Sequence, residues 1–186
     1  MKILTQIKNR QEFRKWLINN HNTAKECWIL IKRGKPIDSK TFYYIDAVEE
    51  ALCFGWIDSI HKAYKSKIAA RFSPRKKNSP WTELNKERIC RLEKLGLMTK
   101  YGRKVLPKSK SYHIDKDLEY ALKKARVYSK FKRFPILYQR IRSYNVSFYK
   151  NKDKNAYNKA LNHLINETKK GKMFGEWNDY GRLLDY

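Results

Sequence analysis

Glycine is scarce in this sequence, at 7 of 186 residues, and cysteine is scarcer still, at 3. No dinucleotide fingerprint, phosphate-cradling loop or nucleophile elbow occurs, and HExxH is missing as well. Cys27, Cys53 and Cys90 stand far apart, with no CxxC and no Cys/His pair at zinc spacing. That pattern favours reduced core thiols over zinc ligands for all three. Reduced thiols suit the cytoplasm, where this protein is expected to act. No apolar stretch approaches the ~18 residues of a membrane-spanning helix, and residues 1–20 hold no signal-peptide core. No metal set, cofactor loop or catalytic constellation is legible, so a binding protein is expected rather than an enzyme. Acidic residues are the other shortage: 18 Asp and Glu face 43 Lys and Arg, a net charge of +25. Such a field attracts nucleic acid, anionic lipid headgroups or phosphorylated ligands. A merely lysine-rich surface has the same composition, because net charge speaks to association and not to fold.

What is present reads as alternating elements. Asn9 with Glu12 forms a capping-box-like start, and Phe13, Trp16 and Leu17 share one helical face. Residues 27–31 (CWILI) are a short apolar run of strand formers ended by Gly34-Lys35-Pro36. A second helix starts between Thr41 and Tyr44, with Ile45, Val48 and Leu52 as its stripe and Gly55 as its left-handed stop. Its acids Asp46, Glu49 and Glu50 complement the helix dipole. Residues 56–60 and 68–73 read as a hairpin that Pro74 ends. Ser79-Pro80 reads as the next helix start, with Trp81, Leu84, Leu92 and Leu95 along it and Gly96 closing it. Linker-like composition at residues 107–111 sets a boundary, giving units 1–106 and 107–186. The second is all helical: Leu118 and Leu122 on one helix, Phe131, Phe134, Tyr138 and Ile141 on another, and a third from Asp153 to Gly171. The tail carrying Trp177 folds back. The fold class is α+β, helices on a small antiparallel sheet followed by a helical C-terminal region.

The strongest candidate site is a basic loop. Residues 59–82 hold seven Lys or Arg and no acid, with Tyr64, Phe72 and Trp81 interleaved. Arg75, Lys76 and Lys77 lead straight to the predicted Ser79 helix start, where orphan N–H groups and the dipole favour an anion. Arg71, Ser73 and Arg75 with Ser79 would grip a phosphate, while Trp56, Asp58, Trp81 and Asn85 would line the same cleft. Ser79 merely capping its own helix is the plainer reading, and the two are compatible.

Residues 120–152 carry ten cations and eight aromatics without an acid, a combination that serves single-stranded nucleic acid. The helical spacing of Phe131, Phe134, Tyr138 and Ile141 favours a core role instead. Asp58 reads as a general base or, more simply, as the ion-pair partner of Arg71 or Arg75 across the hairpin. His61, three residues along a regular strand, would point to the opposite face.

The run from Tyr44 to Asp58 (YIDAVEEALCFGWID) closely resembles the YdeI/OmpD-associated, or bacteriocin-protection, family. Arg71-Phe72-Ser73-Pro74-Arg75, Ser79, Trp81-Thr82 and Asn85 resemble its second signature, and Leu92, Gly96, Met98 and Gly102 continue in register. The likeness covers residues 11–102, with Pro80 and Thr82 as departures. It implies a cytosolic prokaryotic protein tied by name to bacteriocin or stress protection, and it carries no catalytic residue over. Three functions follow as expectations: a nucleic-acid or other anion-binding module, a small-metabolite protein or enzyme with a cleft at Trp56 and Asp58, or a protein-interaction factor in envelope stress.

Overall fold

The computed structural model describes residues 2–107 and 112–186. Most of the linker-like segment, residues 108–111, therefore lies outside the described residues. The order of elements is α1 (Arg10–Asn20), β1 (Cys27–Ile31), α2 (Tyr44–Cys53), β2 (Trp56–Tyr64), β3 (Lys67–Pro74), α3 (Glu83–Lys94) and α4 (Lys100–Lys104). Then follow α5 (Lys116–Lys124), α6 (Tyr128–Phe131), α7 (Ile136–Ser147) and α8 (Lys154–Lys169). The α+β class holds. Packing groups residues 1–80, 88–107 and 186 into one unit and residues 81–87 and 108–185 into another. Among the described residues no helix is long and apolar enough to cross a membrane.

In the first unit the strands lie in the order β1-β3-β2, all antiparallel. The apolar run at residues 27–31 is β1, paired along its whole length with β3 from Cys27 opposite Phe72 to Ile31 opposite Ile68. α1 starts as expected: Asn9 Oδ1 accepts the Glu12 N–H at 2.9 Å, and Glu12 Oε2 accepts the Lys8 N–H at 2.6 Å. Phe13 and Leu17 are fully buried, and the Phe13 ring meets Phe72 of β3 at 5.4 Å between centroids. Ile45, Val48 and Leu52 of α2 are buried with Ala47 and Ala51, whose small side chains permit close approach. Gly55 ends the turn after α2 at φ +74°, a backbone region that costs glycine little.

β2 and β3 form the hairpin, but its register slips between Asp58 and His61. Asp58 lies opposite Phe72 and His61 opposite Ala70, so three steps on β2 answer two on β3. This bulge inserts one extra residue and reverses the side-chain alternation beyond it.

The second unit has its own core of Leu118, Leu122, Phe131, Tyr138, Ile141, Leu164 and Trp177. Phe131 and Tyr138, read from sequence as one helix, belong to α6 and α7; Pro135 separates them as the N-cap of α7. Asp115 and Asp153 cap α5 and α8 through their carboxylates, and Gly171 follows α8 at φ +70°. Trp177 folds back to meet Tyr138 edge-on at 5.6 Å.

Candidate functional site

The predicted loop is built differently from its expectation. Ser79 does not start a helix: its N–H donates to the Lys76 carbonyl at 3.0 Å and closes a turn. Thr82 caps α3 instead, with Oγ1 accepting the Asn85 N–H at 3.1 Å and its carbonyl accepting the Lys86 N–H at 3.0 Å. The Pro80 carbonyl is meanwhile taken by Arg75 Nη2 at 3.1 Å, and the acid Glu83 occupies the first turn. Arg75 is 9% exposed, its N–H bonded to the Gly55 carbonyl at 2.9 Å, so it ties the loop together from within.

Arg71 is neutralised by Glu26, whose Oε2 accepts from Nε and Nη2, each at 2.6 Å, and Nη1 donates to Ser59 Oγ. The expected pairing of Arg71 or Arg75 with Asp58 is not the one observed. Bonding to Arg71 holds the Glu26 carboxyl below the ordinary carboxylate range. Ser73 lies on β3 opposite Ile57, and Lys76 and Lys77 are exposed. Trp56 is 1% exposed with its indole N–H donating to the His21 carbonyl at 3.3 Å, so it is core and not cleft wall. Trp81 and Asn85 fall in the second unit. Within the basic run of residues 120–152, Arg140 pairs with Glu83 and Glu87.

Asp58 has other partners. Tyr44 donates its hydroxyl to Asp58 Oδ2 at 2.7 Å, and His61 Nε2 stands 3.5 Å from the same oxygen. The bulge brings His61 round to the side of Asp58, overturning the expectation of opposite faces. Arg33, just beyond β1, donates from Nη2 to His61 Nδ1, and its guanidinium lies 5.7 Å from the Tyr44 ring centroid. Burial, aided by Asp58, raises the Tyr44 hydroxyl pKa well above the ordinary phenol. Burial, then the Arg33 charge, lowers the His61 pKa, with Asp58 opposing both.

Arg33 also belongs to a cavity of about 550 Å³ at the end of β1 and β3. Its floor is apolar, made by Ile7, Leu30, Ile31, Phe42 and Ile68. Its cations are Lys8, Lys32, Arg33, Lys40 and Lys67, with Thr5, Thr41 and Ser66 between them, and among the described residues no carboxylate lines it. Among the described residues no acid forms an ion pair with these lysines. Asp38, beside Lys40, is engaged by the N–H groups of Lys40 and Thr41 and by the Thr41 and Tyr43 hydroxyls. The Thr41 N–H does most to hold its carboxyl low.

Sequence reading also missed a buried acid pair. Glu49 and Glu50 are 0% and 1% exposed and are clamped by Arg10, Arg14 and Arg91 at 2.5–2.7 Å. Burying two adjacent carboxylates is tolerable only with such partners, so this cluster holds α2 to its neighbours and is spent on structure. No group of three or more His, Cys, Asp or Glu able to hold a metal occurs among the described residues.

The fold and the cavity define an α+β domain with an acid-free basic pocket at one end of a three-stranded sheet. The chain belongs to the family described as Domain of unknown function (DUF8412), whose model matches residues 5–105, more than half of the sequence. Comparison with the curated proteins and with the solved structures returns no match.

Proposed function

We propose that the first unit binds an anionic ligand, a phosphorylated small molecule or nucleic acid, in the pocket at the end of β1 and β3. One observation carries this reading: five cations surround an apolar floor that no carboxylate shares. A cavity of about 550 Å³ falls in the range of small-molecule sites, roughly 300–1,000 Å³. An apolar floor beneath a cationic rim suits an organic anion with a flat or hydrophobic body, such as a nucleotide. Arg33 supplies the planar fork for a phosphate, and the lysines add point charges. Lys76 and Lys77, on the loop first expected to be the site, contribute only long-range attraction. The net charge of +25 favours a second reading, in which the pocket holds one phosphate of a polynucleotide. The likeness to bacteriocin-protection proteins gives either form of binding a setting in stress protection, in the cytoplasm.

Thermal denaturation against nucleotides, inorganic phosphate, single-stranded RNA and duplex DNA separates the two readings. Stabilisation by one nucleotide at low-salt and physiological-salt conditions supports the small-ligand form. Stabilisation by every polynucleotide, collapsing with salt, supports the polyanion form. No stabilisation by any of them removes the proposal.

A further inference from the structure

We infer that anion capture in this pocket takes up a proton at His61, because the arginine that faces the anion also holds the histidine. This inference rests on the binding reading above and adds its regulation. Arg33 is always a donor, so its contact fixes His61 Nδ1 as the acceptor and leaves the ring proton on Nε2. Nε2 is buried and has no hydrogen-bond partner; the Asp58 oxygen it faces, at 3.5 Å, is already taken by Tyr44 at 2.7 Å. The ring is therefore held neutral by geometry: Nδ1 cannot accept a proton while the guanidinium occupies it.

The other charged and titratable groups around it come from each packed element. Tyr44 stands on α2, edge-on to the ring at 5.2 Å, and Asp58 stands on β2. Arg88 of α3 bears electrostatically on Tyr44, and Ala70, the β3 partner of His61, brings no charge. Arg33 itself is exposed, and no acid pairs with it among the described residues, so it is free to turn toward an anion in the cavity it lines.

When Arg33 turns, two things change at His61. Nδ1 loses its donor and becomes basic, and the neighbouring positive charge is spent on the ligand. A proton then binds Nδ1, and the imidazolium so formed points Nε2–H at Asp58. By linkage, affinity rises as pH falls through the titration range of the liganded histidine, and the gain is limited to about tenfold per pH unit for one proton. The favoured ligand is accordingly an anion that can engage a guanidinium closely, a phosphate or sulfate ester rather than a diffuse charge.

The test uses 4-nitrophenyl sulfate, which has an apolar body and no proton to exchange between pH 5.5 and 8. Calorimetric titration of the full chain in buffers of different ionisation enthalpy should show uptake of up to one proton. The dissociation constant should weaken several-fold from pH 5.5 to pH 8. In His61→Gln, whose amide oxygen still accepts from Arg33, binding should persist without pH dependence or proton uptake. The His61 ring resonances of the unaltered protein, titrated with and without the probe, supply a measurement that needs no variant; the midpoint should move up on saturation. Binding that is lost on neutralising Lys32, Lys40 and Lys67 but shows no proton uptake, or an unmoved His61 midpoint, overturns this inference and leaves the pocket standing. Binding indifferent to those lysines overturns the pocket itself.

Discussion

Replacing Arg10 by methionine should destabilise the first unit more than replacing either of the other arginines around the buried acids. Arg10 reaches Glu50 at 2.5 Å and Glu49 at 2.7 Å, and stands 3.7 Å from Asp46. Arg14 reaches Glu50 and Arg91 reaches Glu49, each at 2.7 Å. Without Arg10 each glutamate still has a guanidinium at 2.7 Å but cannot rehydrate, since both side chains are essentially sealed. Breaking a buried pair costs about 3–5 kcal/mol, and the surviving partners put this change near the lower end, about 3 kcal/mol. Arg14→Met or Arg91→Met removes one charged hydrogen-bonding partner of an acid still held by Arg10, about 1.5 kcal/mol each. Urea unfolding followed by tryptophan fluorescence measures all three. Arg10→Met within about 0.5 kcal/mol of the unaltered protein, or milder than Arg91→Met, would refute the view that Arg10 is the shared clamp.

Further outcomes follow from other sites. Gly102→Ala should cost about 2–3 kcal/mol, because a Cβ there would stand 2.4 Å from the Cys53 carbonyl oxygen and 2.8 Å from that of Leu52. Gly34→Ala meets no atom within 4 Å and should cost about 1 kcal/mol through its φ of +102° alone; comparable melting temperatures would contradict the contrast. Cys27 and Cys53 are buried, and burial pushes both thiols up to about 12, whereas Cys90 is exposed, contrary to its expected place in the core. A thiol reagent at pH 8 should therefore modify one cysteine in the native protein and three in urea. At Asp115, burial opposes ionisation, but Lys150 and the N–H groups of Leu118 and Asp117 prevail and hold the carboxyl low. Its stabilising effect is present above the unfolded pKa of about 4 and is lost as pH falls through the lower folded value, so Lys150→Met should flatten the acid limb of the stability curve.

Much of the fold was legible because local chemistry decided it. The Asn9 cap, the CWILI strand, the Gly55 stop and the Asp153 cap depend on neighbours within a few residues, and each lies where sequence puts it. The helix start at Thr82 was missed because Ser79-Pro80 has the better local signature, while Arg75 claims the Pro80 carbonyl from a distance. Glu49 and Glu50 were read only as acids that complement the helix dipole, since nothing local reveals that Arg10, Arg14 and Arg91 converge on them. Asp58 and His61 were assigned to opposite faces by a rule that one inserted residue reverses. The pocket was the least visible feature of all. Its cations come from before α1, after β1, the loop ahead of α2 and the start of β3, and only the tertiary fold joins them.

The account is tested most directly by titrating labelled nucleotide and single-stranded RNA into the protein and into a variant with Lys32, Lys40 and Lys67 all changed to glutamine. The pocket predicts a loss of at least tenfold in the variant at physiological salt, with a shallower salt dependence and an unchanged melting temperature. Equal affinity in the two proteins, or an equal loss when Lys76 and Lys77 are changed instead, would contradict it.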